Sequence, residues 1–209
     1  MTNNQYKDFL YSCKKMASKI HFNNENGVVN FLGDKALNEQ TFFEVIFKNT
    51  RLLNSLNSGV CFTMSSWVFA LLYSMDLKDD DYYFMESFNS EWQNFVILYN
   101  SPDGFRICDL AAQAIESEEI ISKLVDLSIV SNASPGQYSI NKIMALVSEL
   151  SSSKYLSMKI EDYIKEYPLV SCEVLMHQGN EECIYTEVPR KKLLDFIKEK
   201  MDKEQSLKI

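Results

Sequence analysis

The sequence predicts an α+β fold in which an antiparallel sheet packs against a buried helix that carries a cysteine, with a layer of helices at the N-terminal end. The first observation is composition, because 46% of the 209 residues are hydrophobic, enough for the core of one domain. The second is the segment 62–72, which is apolar nearly all round and therefore typical of a buried helix. The third is a series of short strand-like segments grouped around turns.

The segments before the cysteine helix predict the N-terminal layer. Residues 4–20 carry apolar side chains at spacings of three and four, as an amphipathic helix does. Polar residues 23–27 predict a turn, and a short apolar piece follows at 28–32. Asn38 then caps a second helix whose apolar side extends to Phe47.

The cysteine helix and three strands come next. The turn residues 57–59 lead into a helix that begins at or next to Cys61. After an acidic turn at 78–81, the strands are predicted at 82–87, 94–99 and 105–110. The second and third of these strands are joined by Pro102-Asp103-Gly104, which predicts a hairpin turn.

The remainder alternates helices with a second hairpin. Helices are predicted at about 114–127, at about 139–151 and near 159–166, strands at 169–176 and 183–188, and a last helix from Pro189 to about 203. We predict a single domain over 1–209, with an N-terminal helical region at 1–56, the cysteine helix and sheet core at 57–112, and further helices and a hairpin at 113–209.

Charge and hydropathy narrow the classes of partner. The formal net charge is −8, and the basic residues gather near the two ends, which disfavours nucleic acid. No apolar run approaches the length of a membrane span, so no membrane association is expected. The first residues lack a positive region followed by an apolar one, so we expect a cytoplasmic protein, with secretion without a cleaved signal left open.

The five cysteines are odd in number and widely spaced, which predicts neither a disulfide framework nor a zinc site. Cys61 differs from the others because it lies at the start of a helix, where the N–H groups and the macrodipole favour a thiolate. The alternative is a small buried hydrophobic residue, which is the role of most free cysteines. Cys108 is predicted to lie in the core.

Nucleophilic cysteine chemistry requires a thiolate, a base and a group that orients the base. Asn94 begins the first strand of the central hairpin, and Asp109 ends the second. In a tight hairpin these positions lie at the same end of neighbouring strands, within side-chain reach. The sequence therefore predicts a site composed of Cys61, Asn94 and Asp109.

Gly59-Val60-Cys61-Phe62 resembles the Gly-Gly-x-Cys-(Phe/Tyr)-Glu-x-Asn motif of arylamine N-acetyltransferases, members of the transglutaminase-like, papain-related cysteine enzymes. The resemblance covers roughly residues 20–112. It implies a papain/transglutaminase-like fold, with the catalytic histidine and aspartate at the positions of Asn94 and Asp109. It implies no resident cofactor or metal; acetyl-CoA would be a co-substrate if the acetyltransferase likeness is close.

The chain departs from this pattern at the base. Asn94 replaces the histidine, and an amide cannot accept a proton at neutral pH. Ser58, Thr63 and Ser65 replace the first glycine, the glutamate and the asparagine of the motif. His177, at the end of the predicted strand that precedes the turn of the second hairpin, is the alternative base. Its other interpretation is a residue at an exposed hairpin tip.

Three functions follow from these observations. The first is cysteine-dependent acyl transfer (acyltransferase, amidase or deamidase) on a small-molecule or protein substrate, with Asn94 orienting groups or stabilising an oxyanion, and Asp109 holding Asn94 or a water. The second is an inactive member of that fold, a protein-binding or regulatory module such as a bacterial effector or an antitoxin-like protein. Strand aromatics expected to be exposed, Tyr82, Tyr83 and Tyr99, would suit such a partner. The third is an unrelated antitoxin- or chaperone-like protein whose cysteine is structural.

Overall fold

The computed structural model describes residues 1–23, 39–77, 81–88, 93–130, 146–166, 171–176 and 184–189. Helices and a small antiparallel sheet make up this part of the chain, so the α+β class is confirmed. The predicted features that lie wholly or partly outside the described residues include the turn at 23–27, the short apolar piece at 28–32, the cap at Asn38, the acidic turn at 78–81, the helix at 139–151 and the last helix beyond Pro189.

The main elements follow the predicted order. The helices are α1 (Asn3–Ala17), α2 (Glu39–Leu56), α3 (Cys61–Ser74), α4 (Leu110–Val130) and a short helix at Ile160–Glu166, and residues 146–150 are also helical. The strands are β1 (His21–Phe22), β2 (Ser58–Gly59), β3 (Tyr82–Phe88), β4 (Gln93–Ser101), β5 (Gly104–Cys108), β6 (Ser171–Met176) and β7 (Ile184–Pro189). Pro189 was predicted wrongly, because it ends β7 instead of lying in the first turn of a helix.

Strands β3 to β7 form a five-stranded antiparallel sheet in the order β5-β4-β3-β6-β7. The predicted central hairpin joins β4 to β5, and its register pairs Ser101 with Gly104 across the turn. The second hairpin adds to the other side of β3, where Phe84 pairs with Leu175. Separately, β1 and β2 form a short parallel pair directly before α3, with His21 opposite Ser58.

The main core lies between α3 and one face of the sheet. Because α3 is apolar nearly all round, it packs against the sheet and against α2 as well. The fully buried side chains of α3 and of this sheet face include Met64, Val68, Phe69, Leu72, Tyr82, Phe84, Ile97 and Tyr99. Helix α1 adds a buried stripe to the same core, namely Phe9, Cys13 and Ala17.

The opposite sheet face is also buried, since Tyr83, Met85 and Leu98 are as inaccessible as Tyr82 and Tyr99. Alternating strand side chains point to opposite faces, so both faces of β3 and β4 are covered. The expectation that Tyr82, Tyr83 and Tyr99 are exposed was therefore wrong. None of the three can contribute to a partner surface.

Residues 151–159, which we call the strap, run along the free edge of β5. Ile107 donates its N–H to the carbonyl of Met158 at 2.8 Å, and Met158 donates back to Ile107 at 2.9 Å. The Tyr99 hydroxyl donates to the carbonyl of Leu156 at 2.8 Å. The two bonds between Ile107 and Met158 satisfy backbone groups that the edge strand β5 would otherwise present to solvent.

None of the helices in the described part of the chain combines the length and the apolar character needed to cross a bilayer.

We expect Leu72→Ala to lower the free energy of unfolding by about 2–5 kcal/mol, because the change removes a fully buried side chain and leaves a cavity in the main core. Urea-induced unfolding followed by circular dichroism measures this loss. Leu56→Ala is the matched control, since Leu56 also lies on a helix but is 53% exposed; its effect should stay within about 0.5 kcal/mol. Equal losses in the two variants would contradict the core position of α3.

Candidate cysteine site

Cys61 is the first residue of α3, and the chain before it explains its position. Asn57 has a positive φ of 49°, which allows a sharp exit from α2. A Cβ atom at Gly59 would lie 3.0 Å from the Cβ atom of Thr63, which is a tight contact, so the close approach of β2 to α3 favours glycine there. Val60 is the N-cap residue of α3. Its backbone is extended and its side chain makes no capping hydrogen bond, and the helix begins at the next residue, Cys61.

The first turn of α3 packs against the edge of β4 at Phe95. Strand β5 ends at Cys108 opposite Ile97, so β5 does not extend as far as Phe95. Instead, the Ser65 hydroxyl donates to the Phe95 carbonyl at 2.6 Å, and the Phe95 backbone bonds to the sulfur of Cys61. Cys61 and Ser65 are four residues apart and therefore lie on one face of α3. Their side chains bond to both backbone groups of Phe95, the hydroxyl to the carbonyl and the sulfur to the N–H.

Asn94 and Asp109 contact each other, at the ends of the central hairpin. The Asn94 Nδ2 donates to Asp109 Oδ2 at 3.0 Å and to the Tyr163 hydroxyl at 3.3 Å. An ionised carboxylate only accepts hydrogen bonds, which fixes the orientation of the amide with Nδ2 toward Asp109. Asn94 therefore uses its amide donor on Asp109, and its carbonyl oxygen is an acceptor.

Asp109 is 2% exposed and is held by the start of α4. Its Oδ1 accepts the Ala112 N–H at 2.9 Å, an N-cap bond, and its own N–H donates to the Tyr155 carbonyl at 2.7 Å. The helix N-terminus favours the negative charge there. Cys108, directly before it, is fully buried in the main core as predicted.

The pKa of the Cys61 thiol is raised, primarily because burial disfavours the thiolate. The Asp109 carboxylate raises this pKa further by charge repulsion, whereas the backbone groups of Phe95, Phe62 and Cys61 itself lower it. A hydrogen bond that lowers the pKa of an acid is one that its anion accepts, so these backbone groups act as N–H donors. The N–H groups at the start of α3 favour the thiolate, but burial and the Asp109 carboxylate outweigh them.

The two histidines differ in how far the structure describes them. His21 is largely exposed, and its Nδ1 lies 2.8 Å from Glu118 Oε1, so its ring bonds to α4 and not to the Asn94–Asp109 pair. His177 lies outside the described residues.

Two residues of this site were not predicted as members. Ser65 was identifiable in principle, because it follows Cys61 at a helical spacing of four. Tyr163 is fully buried and arrives from the short helix after the strap, so nothing in its local sequence indicates that it contacts Asn94. Within the described residues, no group of three or more His, Cys, Asp or Glu side chains is arranged to hold a metal ion.

We expect Asp109→Asn to lower the pKa of Cys61, because it removes the negative charge that disfavours the thiolate while keeping a side-chain oxygen for the Ala112 N–H. The rate of Cys61 alkylation as a function of pH, read by mass spectrometry on the tryptic peptide 52–78, should move to lower pH. Asp103→Asn, in the exposed hairpin turn, is the control and should leave the curve in place. A curve that is unmoved, or moved upward, by Asp109→Asn would contradict the coupling.

Similarity to known proteins does not identify this site. The chain matches no protein-family model, no curated protein and no solved structure. The arrangement of Cys61, Asn94 and Asp109 must therefore be interpreted from its own chemistry.

Proposed function

We propose that this chain has a transglutaminase-like arrangement whose cysteine centre lacks its base, and that it acts as a binding or regulatory module. The observation that carries the proposal is the Asn94–Asp109 hydrogen bond of 3.0 Å beside a helix that begins with Cys61. In a cysteine, histidine and aspartate triad the aspartate accepts a hydrogen bond from the imidazole, which orients it. Here Asp109 accepts from an amide instead.

Asn94 reproduces the hydrogen-bonding polarity of a neutral histidine at this position. It donates to Asp109 through Nδ2 and presents an acceptor on its other side, as an imidazole does. The difference is basicity, because the amide oxygen does not take a proton at neutral pH. The substitution therefore preserves the buried network and removes the proton transfer that a cysteine nucleophile requires.

The state of the thiol supports the same proposal. An ordinary thiol is only a few per cent ionised at neutral pH, and the pKa of Cys61 is raised above the usual value. Cys61 therefore remains protonated beside the Phe95 N–H. In this interpretation it joins α3 to β4 and does not attack a carbonyl carbon.

Surface aromatics favour a protein as the partner of such a module. Phe47 on α2 and Tyr73 on α3 are 41% and 48% exposed, and their ring centroids lie 6.1 Å apart. Aromatic residues are enriched in protein interfaces. Phe47 and Tyr73 are therefore the candidates for a partner surface, in place of the buried strand tyrosines.

A second candidate, cysteine-dependent acyl transfer, is favoured by the N–H donors around the sulfur. The backbone groups of Phe95, Phe62 and Cys61 bond to it, and donors at a helix start stabilise the oxyanion of an acyl-transfer intermediate. The substrate would be a small-molecule or protein thioester or amide, and acetyl-CoA belongs to this candidate alone. A substrate or partner would have to supply the base.

Alkylation separates the two candidates. At about pH 6 we expect iodoacetamide to label Cys61 in the folded protein no faster than in the same chain unfolded in guanidinium, because the raised pKa leaves almost no thiolate. The tryptic peptide 52–78 contains Cys61 as its only cysteine and reports the labelling. Selective labelling faster than in the unfolded chain would favour acyl transfer.

Restoring the base tests the inferred geometry. We expect Asn94→His to gain hydrolysis of p-nitrophenyl acetate by about 10²–10⁴-fold, the usual contribution of a general base, because the imidazole would donate to Asp109 and face Cys61. The control combines Asn94→His with Cys61→Ala and should lose the gain. A folded Asn94→His variant without any gain would sink the proposed site.

A further inference from the structure

The Asn94 amide has a second buried acceptor besides Asp109. Its Nδ2 donates to Asp109 Oδ2 at 3.0 Å and to the Tyr163 hydroxyl at 3.3 Å. Tyr163 is 0% exposed and Asp109 is 2% exposed, so both acceptors lie in the interior. An amide nitrogen carries two hydrogens. The two acceptors therefore surround one nitrogen and take one hydrogen each.

The positions of both acceptors are set by backbone contacts that do not involve this amide. Asp109 Oδ1 accepts the Ala112 N–H at 2.9 Å, and the Asp109 N–H donates to the Tyr155 carbonyl at 2.7 Å. Tyr163 lies in the short helix that follows the strap, where its N–H donates to the Lys159 carbonyl at 2.9 Å. The side chain at position 94 therefore meets a pair of acceptors that other parts of the chain hold in place.

Such a pair of acceptors distinguishes an amide from an imidazole. A neutral imidazole carries one N–H, and even a protonated ring carries one hydrogen on each nitrogen. A ring nitrogen at the place of Nδ2 therefore gives its hydrogen to Asp109 or to Tyr163, but not to both. Because a buried polar group that lacks its donor destabilises the folded state, the asparagine amide, which supplies both hydrogens from one atom, fits this position better.

We propose that Tyr163 is the positioning residue of Asn94, and that Asp109 and Tyr163 together select an amide at position 94. This inference rests on the proposed function, because it specifies how the site retains Asn94 where a triad would have its histidine. Rotation of the amide about χ2 breaks both hydrogen bonds of Nδ2 at once, so the two acceptors keep this nitrogen directed toward Asp109. Tyr163 thus acts through Asn94.

A double-mutant cycle tests this role in the full chain. The unaltered protein, Tyr163→Phe, Asn94→His and the double variant are unfolded in urea, and circular dichroism gives the equilibrium constant of unfolding for each. Histidine at position 94 keeps an N–H for Asp109 and removes the second hydrogen. We expect Tyr163→Phe to raise the unfolding constant by about 3–10-fold in the unaltered protein and by less than about twofold in Asn94→His. The control is Tyr155→Phe, which keeps the backbone carbonyl that accepts the Asp109 N–H and should have equal effects in both backgrounds.

Nuclear magnetic resonance reads the hydrogen bond itself. In the unaltered chain we expect the Tyr163 ring protons to show a nuclear Overhauser contact with one Hδ2 proton of Asn94. In Tyr163→Phe that proton should move upfield and exchange with water about 3–10-fold faster, because it has lost its acceptor. Tyr155→Phe should leave both Hδ2 protons unmoved.

Two results would overturn the role of Tyr163. One is an equal effect of Tyr163→Phe in the unaltered protein and in Asn94→His, and the other is the absence of the Overhauser contact in the unaltered chain. The second measurement needs no variant, so poor folding of a variant does not change its interpretation. A folded Asn94→His protein that hydrolyses no ester contradicts instead the geometry proposed for Cys61, so the two proposals fail separately.

Discussion

The contact between the first turn of α3 and the uncovered edge of β4 organises the rest of the molecule. Phe95 lies just beyond the reach of β5, and its backbone groups need partners. Ser65 and Cys61 supply them, which orients the helix relative to the sheet. The sheet face that carries Tyr99 then meets the apolar length of the helix, and α1 adds Phe9 to that core. The Cys61 thiol therefore has a structural role, because it bonds α3 to β4.

The same contact creates opposing electrostatic demands on Cys61. N–H groups stabilise a thiolate, but burial and the nearby Asp109 carboxylate destabilise it more. A cation beside Cys61 and Asp109 would favour the thiolate and offset the repulsion. Asn94 is neutral and provides no such compensation. Burial, reinforced by the Asp109 carboxylate and not offset by a cation, therefore leaves the pKa of Cys61 raised.

Local chemistry accounts for what the sequence could predict. The Pro102-Asp103-Gly104 turn sets the register of β4 and β5, and that register brings Asn94 to Asp109. Contacts between distant parts of the chain had no signal in the local sequence. Strand β6 pairs with β3 although the two strands are far apart in the chain. Tyr163 contacts Asn94 only because the strap before it runs along β5. The exposure of Tyr82 was mispredicted because strand alternation does not reveal that both faces are covered. The pKa of Cys61 depends on the burial of its side chain, and the spacing of residues in the sequence does not show how deeply a side chain is buried.

The choice of asparagine at position 94 follows from the needs of Asp109. A carboxylate that is 2% exposed requires donors, because an unsatisfied buried charge costs several kcal/mol. The Ala112 N–H serves one oxygen, and Asn94 Nδ2 serves the other. A small apolar residue at position 94 would leave Oδ2 without that donor, whereas asparagine provides it. The network therefore satisfies the buried carboxylate of Asp109 with a neutral donor and joins β4 to the start of α4, without a group that takes a proton at neutral pH.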